Sequence, residues 1–530
     1  MKGAVAVGAV LVLAAVGAGW YALSLVENSP GAPTASPTAR VTAASGSPSS
    51  SPSPTPDAWQ EALAMARALS PEEAAGSVIM PDISSDGPEA AAHLVKSRHL
   101  AGVLVMGGAI VNEDRVTALT GALAAADPGR GWPIMIATDQ EGGVVQRLRP
   151  VLGYTSAFMG AGANGDEPQI RDYYGGLGAE MAALGFTMDM APVADVTIGV
   201  KDPTIRTRAA GSRPDAVASV VAAAWQGLEA GGVTPVVKHF PGHGSVKQDS
   251  HEVLPVQAKS VAELETSDLV PFERAVRDGV PAVMMGHIKV AEWGKAPASV
   301  NPKAYAYLRE TLGFDGLAVT DAMNMGAITD TYGAGKASAL AVAAGADLVV
   351  MPANLDKAIA GIVSALKDGS LPRARLDEAV ARVIVAARAQ AQMRSAASAP
   401  QSRTAAFVEG SIVVAAKNCE ALVGTKVSIA GGSSAQRKTL AKELTERGLT
   451  VGEGGTSILL VEGDRGRGKA DVVVAMGGPW GLPRSTATAY VATWGSGGAQ
   501  LKALAAVLAG DVAPSGTWPV PVKLPYAACG

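Results

Sequence analysis

The 530-residue chain predicts an α/β fold, a (β/α)8 TIM-type barrel followed by a smaller open-sheet α/β domain, and three observations lead there. Eight short apolar runs alternate with longer helical patterns. Polar side chains that are rare elsewhere gather just after the ends of those runs. A small-residue segment then separates this alternation from a second, shorter one. The runs are GSVIM (76–80), GVLVM (102–106), PIMIAT (133–138), FTMDM (186–190), TPVVKH (234–239), AVMMG (282–286), LAVT (317–320) and DLVVM (347–351). Amphipathic stretches such as 214–231, 261–278 and 354–368 lie between them. Short β-branched or Met-rich runs separated by helices are the pattern of parallel strands joined by crossover helices. A doubly wound open sheet would show the same alternation, and a closed barrel is the natural reading of eight repeats.

Ahead of the barrel, residues 3–26 are apolar without interruption and long enough to cross a bilayer as a helix. Lys2 is the only charge before them, which favours a translocated body behind a signal anchor; a cleaved signal peptide is the competing reading. Residues 28–57 are dominated by Pro, Ser, Thr and Ala, cannot build a core and read as an extended stalk, so the folded part is expected to begin near Ala58. The expected location is extracytoplasmic, with membrane contact through the N-terminal segment only.

The barrel is expected over 58–394, a linker over 395–404 and the second domain over 405–530. In the last, KVSIAGG (426–432), SILLVEG (457–463) and ADVVVAMGG (470–478) read as buried strands separated by helices including 434–448. Their AGG and MGG ends lack the full spacing and following lysine of a phosphate loop.

With 48% hydrophobic and 17% charged residues the chain can bury large cores, and a net charge of -4 offers no broad basic field for nucleic acid. Its two cysteines, Cys419 and Cys529, exclude a disulfide scaffold or a thiolate metal cluster and can form at most one disulfide.

In such a barrel functional side chains sit just past the strand ends. Here those positions hold TDQEGGVVQRLR (138–149), KHFPGHGSVKQDSH (238–251), GHI (286–288) and TDAMNMG (320–326), and four of the six histidines fall between 239 and 287. Asp321 follows LAVT directly, so its carboxylate projects from a rigid strand end. A lone Asp there is commonly a helix N-cap or ion-pair partner. A carboxylate nucleophile needs a second group that protonates the departing oxygen. In QDSH, Asp249 and His251 flank a single residue, so the carboxylate can orient an imidazole that gives and takes a proton near neutral pH. His239, His243, Asp249 and His251 also have metal-ligand chemistry, but Pro241 and Gly242 break the helical HxxxH spacing, so no metal and no cofactor is expected. His243, between two glycines, reads as shaping the loop; His287 fits the core and the pocket equally. Vicinal sugar hydroxyls are best held by carboxylate and guanidinium groups, for which Asp139, Arg147, Arg208, Lys238 and His239 are the candidates. Arg149 is a near rival to Arg147.

With DQEGGVVQR (139–147), MDMAPVADV (188–196), KHFPGHG (238–244) followed by DSH (249–251), and TDAMNMGAI (320–328) in order across the barrel, the chain resembles family 3 glycoside hydrolases of the β-N-acetylhexosaminidase branch. GDVAPSGTWPVPV (510–522) is similar to the closing segment of that family's second domain. The resemblance implies Asp321 as nucleophile, His251 as mobile acid/base with Asp249 as its partner, and Asp139, Arg147, Arg208, Lys238 and His239 as sugar-binding positions. It implies a retaining, exo-acting β-N-acetylglucosaminidase working through a covalent glycosyl-aspartate, on peptidoglycan or its fragments. At 208–214 the chain reads RAAGSRP where the family usually has RSFGxDP, which leaves the leaving-group side of specificity open. Family β-glucosidases generally lack the histidine loop, and the second domain is assigned a packing role. Alternatives are a broader β-glycosidase, an N-acetylglucosaminide phosphorylase, and a non-catalytic cell-wall saccharide-binding protein. The expected partner is a small saccharide, with no nucleic acid, and the expected state is a monomer.

Overall fold

A computed structural model describes residues 56–396 and 403–530. The expected anchor, nearly all of the stalk and residues 397–402 of the expected linker lie outside the described residues. Among the described residues no helix is long and apolar enough to cross a membrane.

Eight parallel segments form a closed ring. Gly102–Val105 pairs with Met135–Thr138, which pairs with Met188–Asp189, which pairs in turn with Thr234–Pro235. The fifth segment continues after Val236 as Val237–Phe240 and pairs on its other side with Ala282–Met285; that strand pairs with Leu317–Thr320. Val319 bridges to Leu348, Val349–Val350 pairs with Ile79–Met80, and beyond Pro81 the same first segment returns as Asp82–Ile83 to pair with Gly102–Val105. The ladder is interrupted at Pro81, and near Val236 one segment changes partner, yet each segment has a neighbour on both sides. Proline carries no amide proton for a ladder, so pairing there must shift.

The strands are apolar on both faces because side chains fill the ring inside and helices cover it outside. Val103, Ile136, Val237, Val283, Ala318 and Val349 are all buried. The covering helices show ordinary end signals. Asn354 caps Leu355–Asp368 by accepting from the Lys357 N–H, Gly369 ends it at a φ of 79°, and Ala358, Ile362 and Val363 turn inward. The expected helix at 261–278 is divided into Val261–Glu265 and Val270–Arg277, the first opened by a Ser260/Glu263 capping box and the second carrying Pro271 in its first turn.

The second domain is a six-stranded sheet in the order Val413–Ala416, Ala489–Ala492, Val472–Ala475, Thr456–Val461, Lys426–Gly431, Thr450–Val451, parallel except for the first pair. Three of these strands were expected; VVAA, AYVA and TV are too short to stand out by periodicity. Cys419 and Cys529 form a disulfide.

The two sheets share apolar packing. Met159 and Ala163 from the barrel helix Phe158–Asn164 meet Val413, Ala492, Trp494 and Val520. Tyr173 stacks on Phe407 at 4.0 Å, and the Ala157 N–H donates to the Trp494 carbonyl at 2.9 Å.

Candidate active site

A pocket of about 310 Å³ opens at the C-terminal ends of the barrel strands, and Asp139, Arg147, Arg208, Lys238, His239, His251 and Asp321 all line it. Asp249, the remaining residue singled out from sequence, sits beside it as the partner of His251. Asp139 follows the third strand, Lys238 and His239 stand within the fifth, and Asp321 follows the seventh. The Lys238–His239 and Phe240–Pro241 peptides are cis. The short hairpin Gln140–Gly142 to Val145–Gln146 folds the third loop back over the ring. Gly142 permits this with a φ of 95°, and a Cβ there would lie 2.1 Å from the Ser156 carbonyl oxygen.

The floor is a charge cluster. Lys238 Nζ donates to Asp139 Oδ1 at 2.8 Å and to Glu141 Oε1 at 2.7 Å, and the Arg208 guanidinium grips Glu141 with both edges at 2.8 and 2.9 Å. Burial alone would raise the Glu141 carboxyl, but the charges of Arg208 and Lys238 and their hydrogen bonds hold it far below the usual range. Burial likewise opposes the charge on Lys238 and Arg208, and the facing carboxylates overcome it, so both stay cationic. Asp189, one strand over, has no such pairing. Burial first, and the neighbouring Asp139 and Glu141, raise it to about 8, while Oδ1 accepts from the Gln140 N–H and Oδ2 has no partner among the described residues.

Asp321 is only 8% exposed, yet its carboxyl is held down at about 2. Burial pulls the other way and is outweighed by His239, His287, the Ala322 N–H and Lys238. The Ala322 N–H, at 2.8 Å from Oδ1, acts whatever the protonation of the histidines. Asp321 is therefore an anion from mildly acid pH upward, as a nucleophile requires. His287 is fully buried and does not line the pocket; its Nδ1 meets Ser299 Oγ and its Nε2 meets the Ala322 carbonyl at 2.8 Å. It supports the residue after Asp321 from behind.

His251 lies on an exposed loop with 61% of its side chain open, and its Nδ1 is 2.7 Å from Asp249 Oδ1. Burial opposes a low Asp249 pKa, and the backbone and ring of His251 lower it nonetheless, so the carboxylate can fix one imidazole nitrogen and leave the other toward the pocket. The loop is held on the barrel. Ser250 Oγ meets His243 Nε2 at 2.8 Å, and the N–H groups of Ala327 and Gly326 donate to the carbonyls of Ser250 and His251. Gly326 allows this approach, since a Cβ there would fall 2.9 Å from the His251 and Glu252 carbonyl oxygens. His243 is buried, and desolvation lowers it to about 4, so its ring is neutral. Asp195 accepts from the His243 N–H and pairs with His239 Nδ1 at 2.7 Å.

Glu141, Asp195 and Ser250, which hold the candidate residues in place, were not singled out from sequence. All three lie inside the motifs quoted above, and all three are buried. Arg149 is resolved as structural, its guanidinium lying 5.5 Å from the Tyr154 ring centre, while Arg147 lines the pocket.

Residues 72–386 match the glycosyl hydrolase family 3 N-terminal domain. The chain is 35% identical over 338 residues to the β-hexosaminidase LpqI of Mycobacterium tuberculosis, across 61% of this chain and 84% of that protein. It resembles the structure of a glycoside hydrolase family 3 β-N-acetylglucosaminidase from a Paenibacillus species with a TM-score of 0.75 at 25% identity, covering 86% of this chain and 99% of that one. The structure of Mycobacterium tuberculosis LpqI covers 62% of this chain, with a TM-score of 0.55 at 33% identity, and is itself covered over 96% of its length. With the closed ring, the pocket at its C-terminal mouth and the family domain matched across the barrel, the chain belongs to glycosyl hydrolase family 3.

Proposed function

We propose that this glycoside hydrolase removes terminal non-reducing β-linked N-acetylglucosamine, with retention, through a covalent glycosyl-Asp321 intermediate. The observation that carries the reading is the presence, in one pocket, of a carboxylate kept anionic at a strand end and an imidazole oriented by its own carboxylate. Asp321 attacks the anomeric carbon as the glycosidic oxygen takes a proton from His251 and departs as an alcohol. Water then loses a proton to His251 and attacks the anomeric carbon, releasing Asp321. Asp139, Lys238, Arg208, Arg147 and His239 hold the sugar. A volume near the lower end of the ~300–1,000 Å³ range of small-molecule sites suits one sugar ring. The β-hexosaminidase and β-N-acetylglucosaminidase names of the relatives support the acetamido sugar. Peptidoglycan-derived fragments and a body displayed outside the cytoplasm complete the proposal. The apolar segment 3–26 supports that location, as does the Cys419–Cys529 disulfide, a bond that persists in oxidising compartments.

The test uses the purified chain with para-nitrophenyl N-acetyl-β-glucosaminide and muropeptide fragments. Asp321→Ala is expected to lower kcat by at least about 1,000-fold, and a glycosyl adduct trapped on the wild-type Asp321 peptide is expected by mass spectrometry. Full activity in the variant, or a first-formed product of inverted anomeric configuration, overturns the mechanism.

A further inference from the structure

Arg208 and two other pocket-lining residues, Thr204 and Ile205, come from one loop between the fourth strand and its helix. The loop is organised from within by buried Asp202, whose carboxylate accepts from Thr197 Oγ1 and from the N–H groups of Thr204, Ile205 and Arg206. Its second half is anchored on the barrel by buried Ile205, Ala209 and Ala210 and by the Arg208 fork on Glu141. The second domain touches it at four places. Arg465 Nη2 donates to the Val200 carbonyl at 3.1 Å. The Trp480 ring covers Gly199, where a Cβ would lie 3.2 Å from its Nε1. Asp464 Oδ2 faces Arg206 Nη1 at 3.5 Å. Past Arg208, the Pro519 carbonyl accepts from the Ser212 N–H at 3.0 Å.

Arg206 has a φ of 47°, a left-handed conformation that a non-glycine residue adopts at a cost. The turn sends its side chain toward the second domain while Ile205 and Arg208 on either side face the pocket. The Asp464 contact thus sits where an unfavourable backbone conformation aims two pocket residues.

We propose that the second domain is a positioning element of the active site: through Asp464, Arg465 and Trp480 it fixes the loop at 199–208, and with it the Arg208 fork and the pocket wall of Thr204 and Ile205. The domain thereby sets affinity for the saccharide more than the rate of the chemical steps. This rests on the reading of the pocket as a saccharide site. The packing of Met159, Val413 and Trp494 joins the domains independently, and the Asp464–Arg206 pair is partly exposed, so removing the loop contacts leaves the domain junction standing.

The experiment compares the full chain with Asp464→Asn/Arg465→Ala, with Asp464→Glu/Arg465→Lys, and with Arg208→Ala. On para-nitrophenyl N-acetyl-β-glucosaminide the first variant is expected to raise KM about fivefold, with kcat within about twofold and Tm unchanged. The conservative pair is expected to recover most of the KM. Hydrogen exchange of the 199–208 amides, which requires no substrate, is expected to quicken in the first variant only. Unchanged exchange overturns the proposal whatever the pocket binds. An unchanged KM in the first variant beside a raised KM in Arg208→Ala overturns it while leaving the saccharide site intact. A fall in Tm that tracks the kinetic loss reduces the contacts to packing and overturns it as well. If Arg208→Ala itself leaves KM unchanged, the reading of the site fails, and the proposal fails with it.

Discussion

Replacing Glu141 with glutamine changes one buried charge and almost no volume. In the native cluster two cations, Lys238 and Arg208, face two carboxylates, Asp139 and Glu141. The substitution takes from both cations the carboxylate they share, and the new amide nitrogen points a donor at a donor. Breaking a buried pair by removing one partner costs about 3–5 kcal/mol. Glutamine keeps one acceptor oxygen, which argues for the lower end. Asp189, raised first by burial and in part by Glu141, ionises more readily once Glu141 is neutral, and that limits the loss further. An expected destabilisation of about 3 kcal/mol corresponds to about 3 °C in Tm, because unfolding roughly 470 residues at about 2.1 cal/mol/K each gives an entropy near 1 kcal/mol/K, read by calorimetry at pH 7. The pH dependence supplies a second check. The folded-state pKa of Glu141 lies below its ordinary 4.5, so its stabilisation is fully present above about 4.5 and is lost as pH falls through the depressed value. Glutamine has no such dependence. The gap in Tm between wild type and variant should therefore narrow below about 4.5. Equal Tm values at pH 7, or a gap that stays constant down to pH 3, refute the reasoning.

Three further outcomes follow from the same geometry. His251→Ala should lower kcat/KM by about 100-fold or more, and a variant with wild-type kcat/KM would assign the proton transfer to another group. Ser250→Ala removes the hydroxyl that holds the His251 loop to His243 and leaves Nε2 of that buried ring unpaired; about 1–3 kcal/mol is expected to appear chiefly in kcat. Normal kcat with a lowered Tm would make the contact merely structural. The Cys419–Cys529 bridge spans 110 residues of sequence, so Cys419→Ser/Cys529→Ser should cost about 2–5 kcal/mol in a denaturant titration, and an unchanged midpoint would show that the bridge does not stabilise the fold.

The barrel was readable because each strand is a short, doubly buried apolar run and each helix carries a period of its own, so local sequence and global fold ask for the same residues. Asp321 stood out for a related reason: a charged group directly after such a run has no core to join, whereas His251 stood out by its spacing from Asp249 on a Gly-rich loop. Cluster membership was harder to read. Glu141 sits two residues from Asp139 and was not singled out, although it is the carboxylate that binds Arg208 and Lys238 together, from segments 67 and 97 residues further along the chain.

Residue periodicity and strand-end placement were sufficient for the eight strand–helix units and the strand ends at which polar groups gather, because these depend on contacts each element makes with its immediate neighbours. Which Asp pairs with which His across the loops, whether His287 backs the site or lines it, and that a loop of the second domain grips the segment bearing Arg208 depend on side chains distant in sequence meeting at distances near 3 Å. No local pattern encodes such meetings. Only closing the ring and docking the second sheet on it bring those atoms together, and the burial that results is what makes Asp321 an enclosed anion, where its position after LAVT alone allowed an ordinary helix cap.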